Sequence, residues 1–96
     1  MADALTHSTY FEGAVQSVGY ERNGRKATVG VIAPGEFRFG TGAPERMTIV
    51  SGELRARMDG SDSWDLYAAG TNFEVKGNSA FFVKASAPCA YYCEYL

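Results

Sequence analysis

The densest group of residues able to do chemistry lies between Pro34 and Leu54. Phe37 and Phe39 share one face of an extended run, followed by the hydroxyl of Thr41 and then the adjacent pair Glu45 and Arg46. An aromatic platform, a hydroxyl, a carboxylate and a guanidinium this close in sequence suit a polar ligand carrying a flat ring. The same pattern also arises when Phe37 and Phe39 are core and Glu45 and Arg46 are a surface pair. Other candidates are weaker. The only histidine is His7, near the N-terminus, so a histidine-rich metal site within one chain is excluded. The acidic turn Asp59–Asp65 lacks the glycine and the closing glutamate of a calcium loop and reads as a solvated hairpin. The basic run Arg22-Asn23-Gly24-Arg25-Lys26 reads as a charged hairpin tip that keeps a sheet edge soluble, although it would also attract phosphate.

These residues must be positioned by strands. Eleven glycines and three prolines punctuate short runs rich in Val, Ile, Thr, Phe and Tyr, a pattern of many short strands rather than helices. The spacing predicts strands over Phe11–Tyr20, Ala27–Ile32, Gly35–Phe39, Met47–Val50, Glu53–Met58, Trp64–Tyr67, Asn72–Val75, Ala80–Ala85 and Ala90–Tyr95. In Glu53–Met58, Leu54, Ala56 and Met58 alternate with charged residues, so one face is dry and one wet, as in an antiparallel sheet. Turn chemistry recurs at Asn23-Gly24, Pro34-Gly35, Ser51-Gly52, Asp59-Gly60, Ala69-Gly70 and Lys76-Gly77. So many short strands in one small chain must close into a barrel or fold as a two-sheet jelly roll. The expectation is an all-β, single-domain jelly-roll barrel over residues 10–96, with residues 1–9 as a loose arm or short helical turn.

Composition narrows the function. At 96 residues the chain holds one core, and an active site competes with that core for side chains. A net charge of −2 gives no basic face for nucleic acid. No apolar run approaches the roughly 20 residues of a membrane span and the N-terminus has no signal-peptide core, so the expected location is the cytoplasm. Cys89 and Cys93 fall on one extended segment, four residues and thus roughly 13 Å apart, too far for a disulfide. Two reduced thiols agree with that compartment.

Glu45 followed by six residues and then Gly52 resembles the first motif of the cupin superfamily, and Gly70 followed by five residues resembles the second, with Lys76 where proline is usual. Metal-binding cupins place histidines at the positions of Phe39 and Thr41 and near Phe81 or Phe82. A longer set of blocks resembles one branch more closely. It includes Tyr10-Phe11-Glu12-Gly13, Ser17-Val18-Gly19-Tyr20, Thr28-Val29-Gly30-Val31, Phe39-Gly40-Thr41, Glu45-Arg46-Met47-Thr48, Ser51-Gly52-Glu53-Leu54 and Tyr91-Tyr92-Cys93-Glu94-Tyr95. In these blocks the chain is similar to the pyrimidine/purine nucleoside phosphorylase family of small bacterial cupins.

That resemblance implies a homodimeric enzyme that cleaves nucleosides with inorganic phosphate to a free base and ribose 1-phosphate. The transition state has oxocarbenium character, and the chemistry needs neither metal nor cofactor beyond phosphate as co-substrate. For that reaction the residues present would divide the work as follows: Phe39, with Phe37, would stack on the base. Glu45 would sit at the ribose as the catalytic carboxylate, and Thr41 would donate to phosphate. Arg46 or Arg38 would neutralise phosphate, although strand alternation from Phe37 and Phe39 turns Arg38 to the opposite face. Phe82 and Tyr91 would line the cavity, Tyr91 sharing a face with Cys93 and Tyr95. The alternatives are a non-catalytic cupin that binds a nucleoside or sugar, and a structural dimer whose barrel is filled by Phe37, Phe39, Phe81 and Phe82.

Overall fold

The alternation of apolar and polar residues translates into strands that each turn one side to a shared interior. The computed structural model describes residues 5–96, and strands account for most of them. They are β1 (Thr6–Tyr10), β2 (Val15–Arg22), β3 (Arg25–Ile32), β4 (Gly35–Thr41), β5 (Glu45–Ser51), β6 (Glu53–Met58), β7 (Asp65–Ala68), β8 (Asn72–Val75), β9 (Ser79–Ala85) and β10 (Cys89–Tyr95). A single 3-10 turn, Phe11–Gly13, joins β1 to β2.

All pairings are antiparallel and fall into two sheets, one ordered β1-β2-β3-β10-β5-β8 and the other β4-β9-β6-β7. The inward faces supply one core containing Val15, Ile32, Met47, Ile49, Leu54 and Phe81, all essentially without solvent contact. In β6, Leu54 and Ala56 are buried while Glu53 and Arg55 are exposed, as their alternation predicts. The result is an all-β, two-sheet jelly roll.

The N-terminal segment differs from its reading as a loose arm or helical turn. Thr6–Tyr10 is a strand paired residue for residue with β2, from Thr6 opposite Gly19 to Tyr10 opposite Val15. It buries little on either side, so it carries no hydrophobic alternation, and backbone pairing to β2 is what holds it. Residues 1–4 lie outside the described residues. The predicted strand Phe11–Tyr20 accordingly starts late, at Val15, and runs on to Arg22. Strands β4 and β5 are each longer than predicted, reaching Thr41 and starting at Glu45.

Two local features aim side chains inward. At Ala90/Tyr91 the β10–β5 register slips: Ala90 is opposite Ser51 but Tyr91 is opposite Ile49, leaving Val50 unpaired. Such bulges re-aim the residues beside them. Across β10, Tyr91 faces Gly30 of β3, and its ring occupies the space a Cβ there would need, about 2.5 Å from that position.

Candidate active site

Between the two sheets, under the 3-10 turn, a cavity of about 190 Å³ opens to solvent. Its walls come from β2, β3, β4, β5 and β10, with Tyr10 and Phe11 at the rim. Of the residues singled out in the sequence, Phe39, Glu45 and Tyr91 line it, together with Arg38, Cys93 and Tyr95.

Glu45 opens β5, half-buried and opposite Tyr95. Cys93 donates its thiol proton to Glu45 Oε1 at 3.4 Å. Burial raises the Glu45 pKa above the ordinary carboxylate range, and the thiol hydrogen bond pulls it back in part. Burial also raises the thiol of Cys93, and the facing carboxylate adds to that, so Cys93 remains a neutral donor. Burial pushes Tyr95 up to about 12, helped by Cys93 and Glu45, and Tyr91, beside Ser17, is raised chiefly by burial as well. The carboxylate is therefore set among neutral hydroxyl and thiol groups. Arg38 is the only Lys or Arg among the cavity-lining residues. It lies opposite Phe82 at the open edge of the four-stranded sheet, so it leaves β4 on the outer face, as alternation assigns it, and borders the cavity at its rim.

The aromatic platform is layered. Phe39 meets the buried Phe81 edge-on, with centroids 5.3 Å apart, and Phe11 lies nearly parallel to Phe39 at 6.3 Å and 17°. Phe37 packs against Phe11 at 5.0 Å without lining the cavity.

The remaining sequence candidates are occupied elsewhere. Thr41 is buried, donates its hydroxyl to the Lys76 carbonyl at 2.8 Å and accepts the Ser79 N–H at 3.0 Å, tying the end of β4 to the loop before β9. Arg46 lies on the exposed side of the six-stranded sheet, where its Nε and an Nη donate to Glu74 at 3.1 and 3.0 Å and Glu94 stands at 3.6 Å. This is a cross-strand ion group set by register, with Glu74 and Glu94 both opposite Arg46. Phe81 and Phe82 are neighbours on β9 and so face opposite ways. Phe81 enters the core and Phe82 packs under the Arg57 guanidinium at 4.2 Å outside it. Sequence reading missed Phe11 and Tyr10 as rim residues, although both stand in the first block of the family resemblance.

The donor set does not fit the metal of metal-binding cupins. Among the described residues no three His, Cys, Asp or Glu side chains converge. Glu45 is hydrogen-bonded by the neutral thiol of Cys93, and His7 is on an exposed face of β1 within 3.2 Å of Gln16 Oε1.

The Tyr91–Gly30 contact yields a first expected result. In Gly30→Ala the new methyl collides with the Tyr91 ring, and overpacking of this kind costs about 1–3 kcal/mol. Denaturant titration should show that loss, and displacement of Tyr91 from the cavity wall should lower turnover as well.

The family model described as "Pyrimidine/purine nucleoside phosphorylase" matches residues 5–95. A relative of that name from Sorangium cellulosum (strain So ce56) is 61% identical over 92 residues, covering 96% of this chain and 99% of the relative. The crystal structure of a Vibrio parahaemolyticus protein of unknown function superposes with a TM-score of 0.95 at 44% identity, covering 98% of this chain and 100% of that one. A cupin superfamily protein from Desulfitobacterium hafniense shares the fold at a TM-score of 0.71 and 13% identity, over 85% of this chain and 76% of that one. By sequence along nearly its whole length, the chain belongs to the pyrimidine/purine nucleoside phosphorylase family, on a cupin fold.

Proposed function

We propose that the protein catalyses phosphorolysis of purine and pyrimidine nucleosides in the cavity under the 3-10 turn. The bond from C1′ to the base nitrogen breaks and a phosphate oxygen bonds to C1′. The base leaves with the electron pair and takes up the proton of hydrogen phosphate, giving free base and ribose 1-phosphate. The observation that carries this reading is a half-buried carboxylate, Glu45, in the same cavity as an aromatic plate, Phe39.

Each group has a task. Phe39 stacks on the base, and stacking tolerates any base because each has a π-face. Glu45 accepts hydrogen bonds from the ribose hydroxyls and faces the positive charge that develops at C1′. An ionised carboxylate that burial makes costly in the ground state becomes favourable when a cation forms beside it. Arg38 holds phosphate, a role for which Arg46 is unsuited because Glu74 and Glu94 already engage it. Tyr91 and Tyr95 keep their protons and offer hydroxyls to the sugar. A volume of about 190 Å³ is below the roughly 300–1,000 Å³ of small-molecule pockets, so part of the nucleoside rests at the mouth. The reaction uses inorganic phosphate as co-substrate and neither metal nor organic cofactor.

The family resemblance further supports a homodimer, in line with Val18, Val29 and Val31 exposed together on the paired strands β2 and β3. Two buried free thiols suit a reducing cytoplasm. Nothing in the charge balance supports a nucleic-acid partner, and no helix among the described residues is long and apolar enough to cross a membrane.

Incubation with uridine and with adenosine, with and without phosphate, tests the reading. Free base should appear only with phosphate. Binding of nucleoside without base release would instead favour a non-catalytic cupin. Arg38→Ala should raise the KM for phosphate by about tenfold or more, since a hydrogen bond to a charged group contributes about 1.5–3 kcal/mol. Its KM for nucleoside should change little.

A further inference from the structure

The Phe11 ring is an exposed aromatic in an unusual setting. It stands at the cavity rim with 46% of its surface in solvent, and it lies almost parallel to Phe39, 17° off, with centroids 6.3 Å apart. That distance is within the range of offset-stacked rings, so the two faces already lie over one another with no ligand between them. A flat heteroaromatic ring stacked between two others needs about 3.4 Å on each side, the spacing of stacked bases, or about 6.8 Å in all. Seating a base between the rings therefore takes an outward shift of Phe11 away from its stacked position over Phe39.

The mounting of Phe11 differs from that of Phe39. Phe39 is held from behind by the buried Phe81 and lies within β4, where it is paired with β9. Phe11 sits on a tight turn in which Phe11, Glu12 and Gly13 have φ of +53°, +57° and +92°. Two of the three are not glycine, and such consecutive left-handed residues persist only where the surroundings impose them. Both ends of the turn are fixed. Tyr10 pairs with Val15, the Ala14 N–H donates to the Phe11 carbonyl at 3.1 Å, and the Ala33 N–H donates to the Ala14 carbonyl at 2.8 Å. One plate is thus rigid, and the other is carried on a short strained turn anchored on either side.

We propose that Phe11 is the second plate of a base clamp, closing on the face of the nucleobase opposite Phe39 and selecting ligands by flatness rather than by hydrogen-bonding pattern. The proposal rests on the nucleoside reading above and adds to it a positioning residue and the basis of base tolerance. It accounts for an aromatic ring left half in solvent: an inserted base covers the inner faces of both rings. It also places the glycosidic bond at the cavity mouth, with the base between the rings and the ribose toward Glu45.

The test combines adenosine titration by calorimetry in the absence of phosphate with steady-state kinetics, for Phe11→Ala, Phe11→Leu and Phe11→Tyr. Leu keeps apolar bulk but has no flat face, and Tyr keeps the face. Loss of one stacking partner should weaken adenosine binding about tenfold in the Ala and Leu variants. The Tyr variant should stay within about threefold of wild type, and the KM for phosphate at saturating adenosine should stay within about twofold in all three. A Leu variant that binds adenosine as tightly as wild type overturns the clamp, as does a phosphate KM that rises in step with the adenosine constant. Because the titration needs no turnover, the two readings fail separately. A wild-type protein that binds adenosine through Phe11 but releases no base keeps the clamp and removes the phosphorylase reading. A phosphorylase indifferent to Phe11 does the reverse.

Discussion

Glu45→Gln is expected to lower kcat/KM for nucleoside phosphorolysis by more than tenfold, toward the roughly 100-fold that loss of one preorganised electrostatic partner costs. Gln keeps the shape and can still accept from Cys93, so the change isolates charge. The pH dependence supplies a second readout. Burial raises the Glu45 pKa, and the ionised form is the working one. Activity should therefore fall as pH drops through a value above the usual carboxylate range, and the Gln variant should lack that limb. Phosphate titrates too, so the comparison between variant and wild type is what assigns the limb. The sign for stability is opposite to that for activity. A carboxylate whose pKa is raised by folding favours the folded state while protonated, and that advantage disappears as pH rises through the folded-state pKa. At neutral pH wild type carries the cost of an ionised buried group, so Glu45→Gln should melt higher than wild type, with the difference vanishing in acid. An unchanged kcat/KM in this variant would remove Glu45 from the mechanism.

Phe81→Ala should be the most damaging single change to the fold. Phe81 has no solvent contact and touches Phe39 and Phe73 edge-on, at 5.3 and 5.9 Å. Truncating a buried phenylalanine costs about 3–5 kcal/mol, a large share of the roughly 5–15 kcal/mol that stabilises a domain. In a chain of this size each 1 kcal/mol moves the melting temperature by about 4–8 °C, so a drop of about 15 °C or more is expected in a thermal scan. Phe82→Ala, one residue along but outside the core against Arg57, should lose far less. Phe81 also backs Phe39, so any Phe81→Ala protein that stays folded at low temperature should bind nucleoside weakly.

How much of this was legible in the sequence depends on whether a residue's environment is set locally. The dry face of β6 was legible because one side is buried and the other wet, and Glu45 because its spacing to Gly52 marks the strand that carries it. Strand β1 was not, since a strand exposed on both sides has no alternation to read and is defined by its partner. The choice between Phe81 and Phe82 was equally closed, because two adjacent phenylalanines on a strand look alike until a facing sheet exists. The ion group around Arg46 was hidden for a related reason: its partners Glu74 and Glu94 come from strands far away in sequence. Thr41 looked free because its acceptor, the Lys76 carbonyl, is 35 residues away. Phe11 had no local signal, as nothing in Phe-Glu announces two successive left-handed residues.

On the proposed reading, this cavity transfers a ribosyl group to phosphate without a metal. Phosphorus-31 NMR of chelator-treated protein with uridine and inorganic phosphate follows that transfer directly. A growing ribose 1-phosphate resonance that matches released uracil one for one is the expected result. Uracil without the sugar phosphate, or a reaction abolished by chelation and restored by adding metal, would contradict it.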